Sequence, residues 1–140
     1  MDKKDFKIYL AGKMSGLTFQ EMQGWRRDLE NNTVLSKLTH IINPVKFYSF
    51  DNVDQLKATG KEIMDFDLYL VKRSNLVIVN LDYPDSIGTA IELYEAHRKG
   101  IPVIGFGTAK NHDWIEACVS KRFDKVEDAV DYILHFYLVN

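Results

Sequence analysis

The chain has 140 residues, of which 46% are hydrophobic and 27% are charged, and its formal net charge is −2. These values predict one soluble globular domain over residues 1–140. They argue against binding to a nucleic-acid polymer, because no basic cluster is denser than Arg26-Arg27 or Lys121-Arg122. No membrane partner is expected either, because no apolar run approaches the roughly 20 residues of a spanning helix.

The cysteine content and the first residues indicate the compartment. Cys118 is the single cysteine, so it cannot form an intrachain disulfide. It falls in a predicted helix, which favours a buried and inert thiol. The first residues lack the apolar stretch of a signal peptide, and we therefore expect a cytoplasmic protein.

Strands and helices alternate along the whole chain. A capping box at Thr18 and Glu21 predicts a helix that ends at about residues 31–32. The stretch 48–59 has no clear period and is predicted to be a loop over the site. The alternation predicts a parallel sheet covered by helices on both faces. Strands are predicted at 6–11, 39–42, 76–81 and 101–106, and further helices at 61–73, 88–99, 113–120 and 126–139.

The segment 75–92 is the most informative part of the sequence. A buried strand runs into a polar turn that contains Pro84 and Ser86, and a helix is predicted to open at Gly88-Thr89 with Glu92 in its first turn. Such a turn lies at the carboxyl end of a strand, where ligands bind in open α/β sheets. The helix dipole is expected to keep Glu92 ionised near neutral pH, suited to act as a nucleophile or to anchor a sugar hydroxyl. A residue that only complements the dipole is the alternative.

Other polar residues are predicted to gather at the same edge of the sheet. The first strand carries Tyr9 and leads into residues 12–16, the second leads to Asn43, Phe47 and Tyr48, and the third leads to Asp82 and Asp85. Glycines beside Ser15 and Ser86 leave room for backbone amides to approach an anion. Residues 12–16 match neither a phosphate-binding P-loop nor a dinucleotide fingerprint.

Several other kinds of site are disfavoured. The four histidines have no metal-ligand spacing and no Gly-x-Ser-x-Gly elbow is present, so neither a metal site nor a serine triad is expected. No cofactor is expected. Asp65 and Asp67 lie two apart on a predicted helix and must point in different directions. One can face the site while the other faces solvent, although two surface residues remain an open reading.

Five motifs follow one another along the chain: Ile8-Tyr-Leu-Ala-Gly12, Asp67-Leu68, Ser74-Asn-Leu-Val-Ile-Val79, Gly88-Thr-Ala-Ile-Glu92-Leu and Gly100-Ile-Pro-Val-Ile104. Taken together, they resemble the nucleoside 2-deoxyribosyltransferase family, which includes the 2′-deoxynucleoside 5′-monophosphate N-hydrolases. The resemblance covers residues 7 to about 107 and keeps the order and spacing of the motifs. It implies a flavodoxin-like three-layer fold with a parallel sheet of about five strands.

The resemblance also implies roles for individual residues. Glu92 matches the nucleophile that attacks the anomeric carbon of deoxyribose, Tyr9 matches the tyrosine that holds it, and Asp67 matches the acid that protonates the leaving base. Family members complete their pocket with a polar residue from a neighbouring subunit, so a homodimer or higher homo-oligomer with shared sites is expected. The residues expected to bind substrate are Gly12, Lys13, Ser15, Gly16, Ser86, Gly88 and Asn111, the last from the stretch 111–113.

One position bears on the substrate. Many transferases of unphosphorylated nucleosides carry an aspartate six residues before the nucleophile, where this chain has Ser86. The monophosphate hydrolases carry a serine there, and Ser86 with Lys13 would favour a 5′-phosphate. Base exchange on 2′-deoxynucleosides is the leading hypothesis and monophosphate hydrolysis is the alternative. A non-catalytic nucleotide sensor is a third reading, disfavoured because it would not need Tyr9, Asp67 and Glu92 together.

Overall fold

The computed structural model describes residues 5–47 and 58–138. Its five strands form one parallel sheet in the order β2-β1-β3-β4-β5, which is the strand order of flavodoxin-like folds. Each strand is short and most are buried on both faces, as expected for a sheet between two helical layers. The strands are β1 (Lys7–Ala11), β2 (His40–Ile42), β3 (Leu76–Asn80), β4 (Val103–Phe106) and β5 (Lys121–Phe123).

Helices cover both faces of this sheet. On one face, alternate strand residues such as Ile8 and Ile78 pack against α1, α2 and α6; on the other, Tyr9 and Val79 pack against α3, α4 and α5. The helices are α1 (Phe19–Glu30), α2 (Thr33–Leu38), α3 (Gly60–Lys72), α4 (Ile87–Arg98), α5 (Asp113–Ala117) and α6 (Val126–Tyr132). A 3-10 helix (Pro44–Phe47) follows β2, and a π-helix (Ile133–Tyr137) continues α6.

The starts of the long helices have clear local causes. Thr18 caps α1 and Glu21 returns the hydrogen bond, which confirms the predicted capping box. Thr59 and Glu62 form the same arrangement at α3. At α4 the cap is Ser86, whose side chain accepts a hydrogen bond from the amide of Thr89. These caps determine where each helix meets the carboxyl edge of the sheet.

The predicted fold class is confirmed, with local differences. The short elements α2 and β5 were not predicted, because six-residue and three-residue segments are too short to show a period. The helix predicted at 113–120 ends at Ala117, and Cys118 caps it as a half-buried rather than a buried residue. The helix predicted at 126–139 changes to a π-helix after Tyr132. Most of the loop predicted at 48–59 lies outside the described residues.

In the described part of the chain, no helix combines the length and the apolar character needed to cross a membrane.

Candidate active site

The strand order reverses between β1 and β3. These two strands pair directly with each other, and β2 lies on the other side of β1. Ligands in such sheets bind where the strand order reverses, outside the carboxyl ends of the strands. A cavity of about 220 Å³ lies at this place. The loop after β1, one side of α3 and the first turns of α4 line it: Gly12, Met14, Ser15, Gly60, Ile63, Met64, Asp67, Leu68, Ser86, Gly88, Thr89, Ile91 and Glu92.

A contact between strand and helix holds Glu92, one of the residues that line the cavity. Tyr9 in the middle of β1 is fully buried, and its hydroxyl donates a hydrogen bond to Oε2 of Glu92. Burial and the nearby charge of Glu92 raise the pKa of Tyr9 well above its usual value, so Tyr9 remains a donor at physiological pH. Tyr9 therefore holds one oxygen of Glu92 and leaves the other available to a bound molecule.

The expectation that Glu92 stays ionised near neutral pH is wrong. Glu92 is the sixth residue of α4 rather than a first-turn residue, so it lies beyond the reach of the helix dipole. Burial raises its pKa to about 8, since the hydrogen bond from Tyr9 and the charge of Arg26 only partly offset the lost hydration, and Asp67 raises it further. Glu92 therefore loses its proton at a higher pH than an exposed glutamate does.

The two aspartates of α3 point in different directions, as their spacing on a helix requires. Asp65 is exposed and forms an ion pair of 2.5 Å with Lys61 one turn earlier. Asp67 is only 7% exposed and lines the cavity, where its charge acts on Glu92. Of the two readings left open for these aspartates, the one with Asp67 towards the cavity and Asp65 towards solvent agrees with the structure, and the reading of two surface residues does not.

Sequence reasoning did not assign a role to Arg26. This residue of α1 is completely buried, and its charge acts on Tyr9, Asp67 and Glu92. Its guanidinium donates hydrogen bonds to the carbonyl oxygens of Met22 (2.5 Å) and Gly12 (3.1 Å). Arg26 and Arg27 look alike in sequence, but only Arg27 is exposed. The charges do not separate them, but the helical period does, because Arg26 lies four residues after Met22 and three before Leu29 on the buried side of α1.

The start of α4 presents polar groups to the cavity. Ser86 and Gly88 line it, as predicted, beside the amide groups of the first helical turn. Amides at a helix N-terminus favour an anion. Thr89 is buried at the same place, and its hydroxyl oxygen has no hydrogen-bond partner among the described residues. A buried polar atom of this kind is ordinarily satisfied, which indicates a site for a polar ligand.

Of the other predicted binding residues, Gly12 and Ser15 line the cavity, whereas Lys13 and Gly16 are not among its lining residues. Asn111 does not line it either. Asn111 is buried, donates to the carbonyl oxygen of Leu81, and accepts from the amide of Asp85. Because Asp85 has a positive φ of 60°, these bonds support the strained turn that leads to Ser86. Asn111 thus stabilises the turn before Ser86 without lining the cavity itself.

The second strand does not bring its predicted side chains to the cavity. Asn43 donates hydrogen bonds to Gln23 and Glu30 of α1, and Phe47 packs edge-on against Phe66. Tyr48 lies outside the described residues. Within residues 5–47 and 58–138, no three His, Cys, Asp or Glu side chains are grouped in a way that could hold a metal ion.

Comparison with known proteins supports the fold. No protein-family model matches the sequence, and no curated protein matches it. A conserved protein from Enterococcus faecalis V583 is similar in structure, with a TM-score of 0.77 and 21% identity over 93% of this chain and 98% of that one. A 2-deoxyribosyltransferase from Bacillus psychrosaccharolyticus is also similar, with a TM-score of 0.64 and 19% identity over 90% and 91% of the two chains. The chain therefore shares the fold of a deoxyribosyltransferase.

Proposed function

We propose that the protein is an enzyme of the nucleoside 2-deoxyribosyltransferase type, which cleaves the N-glycosidic bond of 2′-deoxynucleosides and passes the sugar to another base. The observation that carries this proposal is the buried Glu92, held by Tyr9 and placed beside Asp67 on the wall of one cavity. These three residues are the ones for which the sequence resemblance implies catalytic roles. The shared fold with a 2-deoxyribosyltransferase supports the proposal further.

The chemistry follows from the arrangement of the two acids. As the bond from the base to the anomeric carbon breaks, positive charge develops on the sugar, and the Glu92 carboxylate stabilises it and then forms a bond to that carbon. Asp67 donates a proton to the departing base, which leaves as a neutral molecule. A second base then attacks the same carbon and releases Glu92, while Asp67 takes up the proton of the incoming base.

The scheme needs Glu92 in its ionised form and a proton on Asp67. Burial raises the pKa of Glu92 to about 8, so burial opposes the ionised form. The hydrogen bond from Tyr9 and the charge of Arg26 act in the opposite direction and stabilise the Glu92 carboxylate. Tyr9 therefore supports the state from which Glu92 attacks the sugar.

Hydrolysis of 2′-deoxynucleoside 5′-monophosphates is the second candidate. Ser86 caps α4 at the edge of the cavity, and the hydroxyl of Thr89 beside it has no partner among the described residues. Together with the helix amides, these groups provide donors for a phosphate. An aspartate in place of Ser86 would repel a phosphate instead.

One experiment separates the readings. The protein is incubated with 2′-deoxynucleosides or their 5′-monophosphates, with and without a second free base, and products are separated by chromatography. Base exchange requires the second base and yields a new nucleoside. Hydrolysis yields free base and deoxyribose 5-phosphate without it. A protein that binds these compounds but releases no base is a nucleotide sensor, and that result would contradict both catalytic proposals.

We also propose that two copies of the chain associate through the exposed side of α4. Ile87 is 79% exposed and Tyr94 is 57% exposed, and with Ile91 they form an apolar stripe at helical spacing. Ile91 also lines the cavity, so a second copy on this stripe would cover the cavity mouth. In size-exclusion chromatography with light scattering, Tyr94→Glu should give a smaller particle. Val34→Glu, at an exposed position of α2, is the control.

A further inference from the structure

Arg26 occupies an unusual place for an arginine. It belongs to α1, which covers one face of the sheet, yet the acids on which its charge acts belong to elements of the other face. Its side chain is 0% exposed, and its Nε has no hydrogen-bond partner among the described residues. Burying a charge without full hydrogen bonding opposes folding unless opposite charges compensate it.

Gly12 explains how the guanidinium reaches the site. A Cβ atom at this position would lie 2.9 Å from Cζ2 of Trp25 and 3.4 Å from Nη2 of Arg26. The glycine at the end of β1 therefore leaves the space that the Trp25 ring and the guanidinium occupy. Its carbonyl oxygen also accepts the hydrogen bond from Nη2 at 3.1 Å. Arg26 thus holds the backbone at a residue that lines the cavity.

The guanidinium is confined on its other side as well. Its carbon lies 4.4 Å from the centre of the Trp25 ring, close enough for a cation-π contact, and Nη1 donates to Met22 one turn earlier. The titratable groups that act on Arg26 come from three elements: Tyr9 of β1, Asp67 of α3 and Glu92 of α4. Arg26 is the positive group among those that act on Glu92.

We propose that Arg26 is a positioning residue of the active site, which supplies the fixed counter-charge for the Glu92 and Asp67 pair and holds the Gly12 wall of the cavity. This inference rests on the proposed function, and it adds a residue that acts through Glu92 without touching the substrate. The charge of Arg26 explains how Glu92 can be buried beside Asp67 and still reach the ionised state that attack on the sugar requires.

The test compares Arg26→Gln with Arg26→Lys. Glutamine keeps a hydrogen-bond donor but removes the charge, whereas lysine keeps the charge. Arg27→Gln is the matched control, because it removes the same charge from the next, exposed position of α1. The pKa of Glu92 is measured by carboxyl-carbon NMR on protein labelled at glutamate, with the Glu92 signal assigned from Glu92→Gln.

We expect Arg26→Gln to raise the pKa of Glu92 by about one unit or more, the typical effect of losing a nearby opposite charge. Arg26→Lys should raise it less, and Arg27→Gln should leave it unchanged. An unchanged Glu92 pKa in Arg26→Gln would overturn the inference. In catalysis, the pH at which kcat/KM for a substrate with an activated leaving base reaches half its maximum should move upward by the same amount.

Two outcomes need a further measurement. If Arg26→Gln does not fold, Arg26→Lys decides through denaturant unfolding at pH 9, above the pKa of Glu92 in the wild type. Glu92→Gln should stabilise Arg26→Lys more than it stabilises the wild type, and an equal effect in both proteins contradicts the counter-charge role. If the wild-type protein cleaves no nucleoside, the proposed function fails, but the NMR titration still tests the coupling between Arg26 and Glu92. The two failures are therefore distinguishable.

Discussion

The hydroxyl of Tyr9 donates a hydrogen bond to Glu92, a residue 83 positions away in the sequence. This bond joins the inner strand β1 to helix α4, which follows the neighbouring strand β3. Both partners are buried, so the geometry of Glu92, the proposed nucleophile, depends on packing of the sheet against the helix. The site can therefore exist only in the completed fold.

Tyr9→Phe should lower kcat/KM while the protein stays folded, because the ring is retained and only the hydroxyl is lost. A hydrogen bond to a charged group is worth about 1.5–3 kcal/mol, which corresponds to roughly a 10-fold to 100-fold loss. The pKa of Glu92 should also rise, since this bond favours its ionised form. Steady-state kinetics and carboxyl-carbon NMR measure the two effects. An unchanged rate and an unchanged pKa would remove Tyr9 from the site.

Asp67→Asn should affect ordinary leaving bases much more than activated ones, because only the former need protonation. The pH dependence should separate the two substrates in the wild type. With an ordinary base, kcat/KM requires a proton on Asp67 as well as ionised Glu92, so it should rise less with pH. With an activated base, kcat/KM should rise as pH increases towards 8, because only ionised Glu92 is needed.

The control for this comparison is Asp65→Asn, two residues away on the exposed side of α3. It should leave kcat/KM for both substrates almost unchanged. In Asp67→Asn the charge that raises the pKa of Glu92 is lost. The pH at which kcat/KM rises with the activated substrate should therefore become lower. Equal losses for both kinds of substrate would assign Asp67 a structural role.

Glu92→Gln should be more stable than the wild type at alkaline pH. The pKa of Glu92 is raised by folding from 4.5 to about 8, so the folded protein binds a proton that the unfolded chain releases between these values. The contribution of Glu92 to stability is therefore fully present below about pH 4.5 and is lost as pH rises to 8. Denaturant unfolding at pH 5 and pH 9 should show a difference of a few kcal/mol between the proteins, on the order given by linkage. A stability difference that does not change with pH would contradict the raised pKa.

Ser86→Asp tests whether the start of α4 receives a phosphate. Aspartate still caps a helix, so the fold should persist, but its charge should repel a phosphate. We expect kcat/KM to fall selectively for the 5′-monophosphate and to change little for the nucleoside. Ser36→Asp, at an exposed position of α2, controls for added charge. Equal losses for both substrates would contradict a phosphate site, and a wild type that prefers the bare nucleoside would favour base exchange.

The sequence predicted the fold better than the electrostatics of the site. Buried runs such as 76–81 and the capping box at Thr18 and Glu21 have local causes, and both were found where expected. The pairing of Tyr9 with Glu92 came from the resemblance, because a contact between distant positions leaves no local pattern. The ionisation of Glu92 was predicted wrongly, since burial depends on the whole packed structure and outweighs the helix dipole.

Arg26 is a second residue whose role was not predicted from the sequence. Its neighbour Arg27 has the same charge and lies in the same helix, yet one is fully buried and the other is exposed. The helical period separates them, because Arg26 lies four residues after Met22 and three before Leu29, on the buried side of α1. The space that receives the guanidinium lies at Gly12, 14 positions earlier. This match of a small residue with a large one is visible only when strand and helix are packed.

Trapping the sugar on Glu92 tests the central claim most directly. The wild type is mixed with a 2′-deoxynucleoside in the absence of acceptor base and quenched in acid, and the protein is digested and analysed by mass spectrometry. The account predicts one deoxyribosyl group on the peptide that contains Glu92, and none in Glu92→Gln, which should also lose several orders of magnitude in turnover. Base release by Glu92→Gln at a tenth of the wild-type rate, or a deoxyribosyl group on another residue, would contradict it.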